Sequence, residues 1–177
     1  RAQDMFVLMF LLRGLPFVDL AYLRKSDLRD NVITYRRRKT GRPLSVTLTP
    51  EALELLKKYM NRDSHSPYLF SLLKSGEGTK EAYREYQLAL RSFNQQLTLL
   101  GEVLGLNDKL SSYTARHTWA TTAYYCEIHP GIISEAMGHS SIKVTETYLK
   151  PFRNKKIDEA NNQIIDFVKH SIAGVVS

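Results

Sequence analysis

Apolar positions along the chain recur at two periods. Residues 5–12 are apolar on nearly every side, as expected of a helix enclosed by other elements, before Gly14 and Pro16 interrupt the run. Pro16 suits the first turn of a second helix, in which Val18, Leu20, Ala21 and Leu23 supply a face to bury before Ser26 and Asp27 end it. The period then shortens to two. Residues 31–36 and 44–48 alternate as strands, and Gly41 and Pro43 mark a turn between them, which predicts a hairpin.

Thr49-Pro50-Glu51 opens a helix with a hydroxyl cap, a proline in the first turn and an acid near the positive dipole end; Leu53, Leu56 and Tyr59 form its stripe. Tyr68-Leu69-Phe70 reads as a short edge strand, followed by a glycine-containing loop over 75–79. Residues 80–100 carry Tyr83, Tyr86, Leu90, Phe93 and Leu97 at helical spacing, a core stripe that Gly101 and Gly105 terminate. Ser111 and Ser112 offer caps for a helix holding Arg116, with Trp119, Ala120, Ala123 and Tyr124 as core. His129-Pro130-Gly131 is a turn, and Ile132, Ile133 and Met137 face one side of a short helix stopped at Gly138. After Pro151 a last helix carries Ile157, Ala160, Ile164, Phe167 and Val168. The fold class predicted is mainly α with a small antiparallel β-sheet, an α+β single domain.

Composition narrows the partners. At 177 residues the chain is long enough for one real core, and Lys+Arg 25 against Asp+Glu 18 gives a formal charge of +7, which points toward a polyanion. Cys126 is the only cysteine, so an internal disulfide and a cysteine-based zinc site are excluded and a reducing, intracellular setting fits. The apolar run 5–12 is too short to span a bilayer. Arg36, Arg37, Arg38 and Arg42, in and around the hairpin turn, read as contacts to nucleic-acid phosphates.

Arg116, His139 and Tyr148 suit one substrate class, the phosphodiester. A guanidinium grips two phosphate oxygens, an imidazole donates to the same group and a phenol attacks phosphorus, with no metal required. Taken alone, a histidine after a glycine is ordinarily structural, and Tyr148 competes with Tyr124, Tyr125 and the other tyrosines.

Arg116-His-Thr-Trp-Ala-Thr, Gly138-His-Ser-Ser and Tyr148 stand in the order and spacing of the tyrosine recombinase (phage integrase) family, which the chain resembles from about Phe6 to about Asp166. The resemblance implies a DNA breaking-rejoining fold. It also implies double-stranded DNA as substrate, a 3′-phosphotyrosyl intermediate on Tyr148 with release of a 5′-hydroxyl, and religation for integration or excision of mobile DNA. Neither a metal, a cofactor nor a small-molecule substrate is implied. Other expectations from the resemblance are a homo-oligomer on DNA (a tetrameric synapse), a cytoplasmic, nucleoid-associated location, an amino-terminal DNA-clamping domain outside this sequence, and a tail helix (152–177) that docks on a neighbouring protomer, the other reading being that this helix packs on its own domain. Two alternatives stand beside it: DNA relaxation of the type IB topoisomerase kind, and a DNA-binding module whose catalytic site has decayed.

Residue by residue, Lys39 in Lys39-Thr-Gly matches the hairpin lysine that protonates the leaving 5′ oxygen, the other reading being a phosphate-binding patch. The sequence departs from the family at two positions. Pro16 aligns with the family's first catalytic arginine, so Arg13, three residues earlier, is the expected substitute, with Asp19 as its orienting partner; otherwise Arg13 is a surface residue. Tyr113 replaces a histidine three residues before Arg116; it can donate to a phosphate oxygen, but a phenol of pKa about 10 is a poor proton shuttle. His117 is expected to pack.

Overall fold

The computed structural model describes residues 1–149 and 154–173. The all-round apolar run becomes α1 (Ala2–Leu11), whose Met5, Leu8 and Met9 are buried. After a break at Arg13 and Gly14, α2 (Phe17–Tyr22) starts behind Pro16, which is not in the first turn but stands one position before it as the N-cap, with an extended backbone. The hairpin forms as β2 (Val32–Arg36) and β3 (Pro43–Thr47), antiparallel with Val32 opposite Thr47 and Arg36 opposite Pro43. A two-residue strand, β1 (Leu28–Arg29), extends it to three strands in the order β1-β2-β3. It leaves no sign in the sequence, because two residues carry no readable alternation.

Four helices complete the main body: α3 (Pro50–Tyr59), α4 (Lys80–Val103), α5 (Thr114–Tyr125) and α6 (Pro130–Ala136). Thr49 caps α3 as expected, its Oγ1 accepting from the Ala52 N–H at 3.3 Å. Beyond them lie the single-turn α7 (Ile142–Glu146) and α8 (Asn154–Ala173). The expected tail began at 152; Phe152, Arg153 and 174–177 fall outside the described residues, as do Lys150 and Pro151. Among the described residues no helix is long and apolar enough to cross a membrane.

Among the described residues two hydrophobic cores form. The larger joins α1, α2, the sheet, α3, residues 68–73 and the inner face of α4; each fully buried leucine there is worth roughly 1.5–3 kcal/mol relative to exposure. The smaller gathers Ala120, Ile133, Met137 and Tyr148, with Trp119, Ala123, Tyr124 and Leu149 against it. The seam between them is where the chemistry-bearing residues meet.

Several local expectations are corrected. Tyr68, Leu69 and Phe70 are buried but form no strand: isolated bridges from Tyr68 to Arg24 and from Phe70 to Met60 pair the segment on two sides, so no ladder extends along either. Tyr83 is 61% exposed, because the buried row of α4 runs through Ala82, Phe93 and Leu97 and Tyr83 lies one position off it. Ile132 is likewise exposed, since Ile133 and Met137, four apart, define the inner face. Ser111 and Ser112 do not cap α5. Tyr113 occupies that position, while the Thr114 hydroxyl accepts from the Ser111 N–H at 3.0 Å. His129 is a helix cap and not part of a free turn: its Nδ1 accepts from the Gly131 N–H at 3.0 Å.

Candidate active site

A cavity of about 320 Å³ opens at the seam, and Arg37, Lys39, Tyr113, Arg116, His139 and Tyr148 all line it. The sequence singles out five of these for chemistry and reads Arg37 only as a phosphate contact.

Arg116 sits in the first turn of α5, 2% exposed. Its Nη1 donates to the Gly14 carbonyl at 2.8 Å and its Nη2 to the Met137 carbonyl at 2.8 Å, so the guanidinium ties the two cores together. Gly14 is required for this approach: at φ +66° it takes a left-handed backbone, and a Cβ there would stand 2.9 Å from the Arg116 Cα.

Arg37 is 5% exposed and forms a buried ion pair with Asp19 of α2, which also accepts from the Arg38 N–H at 2.9 Å. Asp19 thus orients an arginine, as expected, but that arginine is Arg37. Arg13 does not reach the cavity. Its Nη1 donates to the Ser45 carbonyl at 3.2 Å and it lines a separate surface hollow with Arg42 and Glu135. The hairpin delivers Arg37 because β2 turns Ile33 and Tyr35 inward, and one more step of two places residue 37 on that same side. That parity was readable in the sequence; the surrounding run of basic residues hid it.

The other turn arginines differ in role. Arg38 stacks over the Tyr22 ring at 3.8 Å and pairs with Glu77, which also holds Arg24. Arg36 donates to the Gly41 carbonyl at 3.2 Å, and Arg42 is exposed. Lys39 is exposed at the tip and borders the cavity.

His139 follows Gly138, whose φ of +64° ends α6, and is 3% exposed. Its Nδ1 meets the Thr145 hydroxyl at 2.7 Å, a partner that sequence reading did not anticipate. Burial, then the charges of Arg116, Arg37 and Lys39, push its pKa down to about 4, so the ring is neutral at pH 7. Tyr148, two residues past the end of α7, is 8% exposed, and its phenol lines the cavity. Its hydroxyl is hydrogen-bonded to that of Tyr113. His117 is exposed and stands beside the Tyr148 ring at 4.5 Å.

The electrostatics favour an anion. Of the two buried guanidinium groups only that of Arg37 is paired with a carboxylate, and burial together with repulsion from Arg37 lowers the Arg116 pKa. Among the described residues, Arg37 Nε and His139 Nε2 are buried with no hydrogen-bond partner. Unsatisfied buried donors are costly unless a ligand meets them. No group of three or more histidine, cysteine, aspartate or glutamate side chains among the described residues could hold a metal ion.

The profile of the phage integrase family matches residues 2–155. The chain is 28% identical to tyrosine recombinase XerC of Haemophilus ducreyi over 73% of its length and 42% of that protein's. It is also 28% identical to tyrosine recombinase XerA of Pyrococcus furiosus, covering 77% of this chain and 46% of the relative. Among solved structures, the Tn1549 transposon integrase in complex with transposon right end DNA superposes with a TM-score of 0.64 at 15% identity, over 92% of this chain and 58% of that one. The chain spans about half the length of the curated relatives it matches.

Proposed function

This chain belongs to the phage integrase family, and from that premise we propose that it is the catalytic part of a site-specific DNA recombinase. The observation that carries the reading is the seam cavity itself. Two buried donors without protein partners, Arg37 Nε and His139 Nε2, flank a buried guanidinium and a phenol. That set suits a tetrahedral phosphodiester whose nonbridging oxygens take the donors while the phenol meets phosphorus.

In the proposed step the Tyr148 oxygen forms a bond to phosphorus as the bond from phosphorus to the 5′ oxygen breaks. One proton leaves the phenol for solvent, and Lys39 supplies one to the departing 5′ oxygen. Arg37 and Arg116 neutralise the charge that grows on the nonbridging oxygens. With Thr145 donating to Nδ1, the neutral His139 carries its hydrogen on Nε2 and is a third donor. The 3′-phosphotyrosyl link keeps the energy of the original ester, so rejoining to a partner strand's 5′-hydroxyl needs no ATP, and the cationic groups supply the charge a metal would otherwise provide. Arg37 answers the departure at Pro16, which argues against a decayed site.

Double-stranded DNA is the proposed substrate. The basic hairpin turn supports it, as does the capture of the Tn1549 transposon integrase with transposon DNA. Strand exchange calls for several protomers on DNA, and α8 supports a shared assembly, because Ile157, Ile164 and Val168 are exposed along it. Integration or excision of mobile DNA at the cytoplasmic nucleoid is the proposed setting.

A suicide duplex nicked beside the scissile phosphate tests the reading. The full chain should become covalently trapped, and Tyr148→Phe should abolish the adduct. Adducts that persist in Tyr148→Phe would remove the proposed nucleophile. Strand transfer between two duplexes, against relaxation of one supercoil, separates a recombinase from a topoisomerase.

A further inference from the structure

We infer that Tyr113 is a positioning residue for the attacking phenol: its hydroxyl holds the Tyr148 oxygen at the cavity and donates to that oxygen as it becomes a phenolate. The inference rests on the reading of Tyr148 as nucleophile. It differs from the sequence expectation, which pointed Tyr113 at a phosphate oxygen.

The geometry starts with the direct hydrogen bond between the two hydroxyls. Tyr113 holds its place through the backbone, as the capping residue of the same helix whose first turn bears Arg116. Phosphate grip and nucleophile support therefore move as one unit. The rings are also packed together. His117 lies 4.9 Å from Tyr113 and 4.5 Å from Tyr148, the two tyrosine rings are 6.0 Å apart, and His139 stacks on Tyr148 at 5.2 Å. These contacts hold the ring of Tyr148; the Tyr113 hydroxyl holds its oxygen.

Proton accounting fixes the direction. While both phenols are neutral either can donate, but once Tyr148 has lost its proton only Tyr113 has one to give. Burial and the bond to Tyr148 push the Tyr113 pKa up to about 12, against the opposing pull of Arg116 and Arg37, so Tyr113 keeps its proton at working pH. No proton passes from Tyr148 to Tyr113; the Tyr148 proton leaves to solvent as the bond to phosphorus forms. The other charged or titratable groups around the pair are His117 and Arg116 from α5, His139 before α7, and Arg37 and Lys39 from the hairpin.

Tyr113→Phe removes the hydroxyl and keeps the ring, and Tyr113 is half exposed, so the fold should survive; an unchanged urea midpoint checks this. On the nicked duplex, adduct formation at neutral pH should fall roughly tenfold and the rising limb of log rate against pH should move up by about one unit, the effect of one lost hydrogen bond to a charged group. Tyr113→His, which restores an N–H donor, should recover most of the rate. Tyrosine Cζ carbon-13 resonances give a readout without catalysis: the Tyr148 phenol should titrate about one unit higher in Tyr113→Phe. Superposable pH profiles, or an unmoved Tyr148 titration, overturn the inference. If the wild-type chain forms no adduct, the nucleophile reading fails, and the Cζ titration still decides whether Tyr113 tunes Tyr148.

Discussion

Arg37 at the foot of the hairpin turn and Asp19 on α2 form an ion pair in which the side chains are 6% and 0% exposed. Such a pair holds its geometry but leaves the arginine's Nε free for an anion. Arg37→Lys keeps a charge against Asp19 and loses Nε. It should fold, yet form the covalent adduct on the order of 100-fold more slowly, by the usual cost of one strong donor to a developing oxyanion. Arg37→Ala should also lose roughly 3–5 kcal/mol of stability by stranding Asp19. Arg13→Ala should stay close to wild type in both trapping and urea unfolding. A defect in Arg13→Ala with a normal Arg37→Lys would reverse the assignment.

Gly14 and Arg116 are coupled through backbone. A methyl at Gly14 would meet the Arg116 Cα at 2.9 Å from a left-handed conformation, and neither atom sits on a flexible side-chain end. Gly14→Ala should therefore cost about 1–3 kcal/mol in urea unfolding and disturb the Arg116 contacts to Gly14 and Met137. Gly41→Ala is the control. Its φ is also positive, at +69°, but nothing lies within 4 Å of its added methyl, so it should cost less and leave Arg116 in place.

How much of this was legible depended on whether local pattern or tertiary meeting decided the outcome. The α1 run, the Thr49 cap and the alternation of the hairpin act within a few residues, and each element formed as read. Arg116, His139 and Tyr148 stood out through motif spacing, and they do share one cavity. Proximity along the chain to Pro16 points to Arg13, while Arg37 reads only as one of the phosphate contacts of the hairpin turn. The hairpin in fact folds back on α2, so residue 37 meets Asp19 while Arg13 is turned away by its own positive φ of 58°. The Thr145 partner of His139 and the Tyr113–Tyr148 contact were invisible for the same reason, since each is made only when α5, α6 and α7 close on one another.

His139 links the site to pH. Its folded pKa lies near about 4, below the ordinary value of 6.5, so from pH 6.5 down to 4 the unfolded chain binds more protons than the folded one. The neutral ring's contribution is present above pH 6.5 and is lost as pH falls through that window, by at most about 3 kcal/mol. Urea midpoints should drop on moving from pH 7 to pH 4.5, and His139→Phe should flatten that dependence. An anion between His139 and the two arginines offsets the repulsion. With a phosphodiester bound, the imidazole should titrate higher, and an NMR titration of its ring protons with and without DNA checks the direction.

Lys39 is tested by changing the leaving group. It is exposed at the hairpin tip and borders the cavity, where a mobile ammonium can follow a departing 5′ oxygen. An alkoxide leaves badly without a proton, whereas a thiolate, whose conjugate acid has a pKa of about 8.5, leaves without help. With an ordinary duplex, Lys39→Ala should slow adduct formation by about 100-fold or more, the usual worth of general acid catalysis. With sulfur in place of the bridging 5′ oxygen, wild type and Lys39→Ala should react at nearly equal rates, whereas Arg116→Ala should remain slow if Arg116 acts on the nonbridging charge as proposed. If Lys39 only bound phosphate, the defect of Lys39→Ala would be the same on both substrates and would shrink as DNA concentration rose.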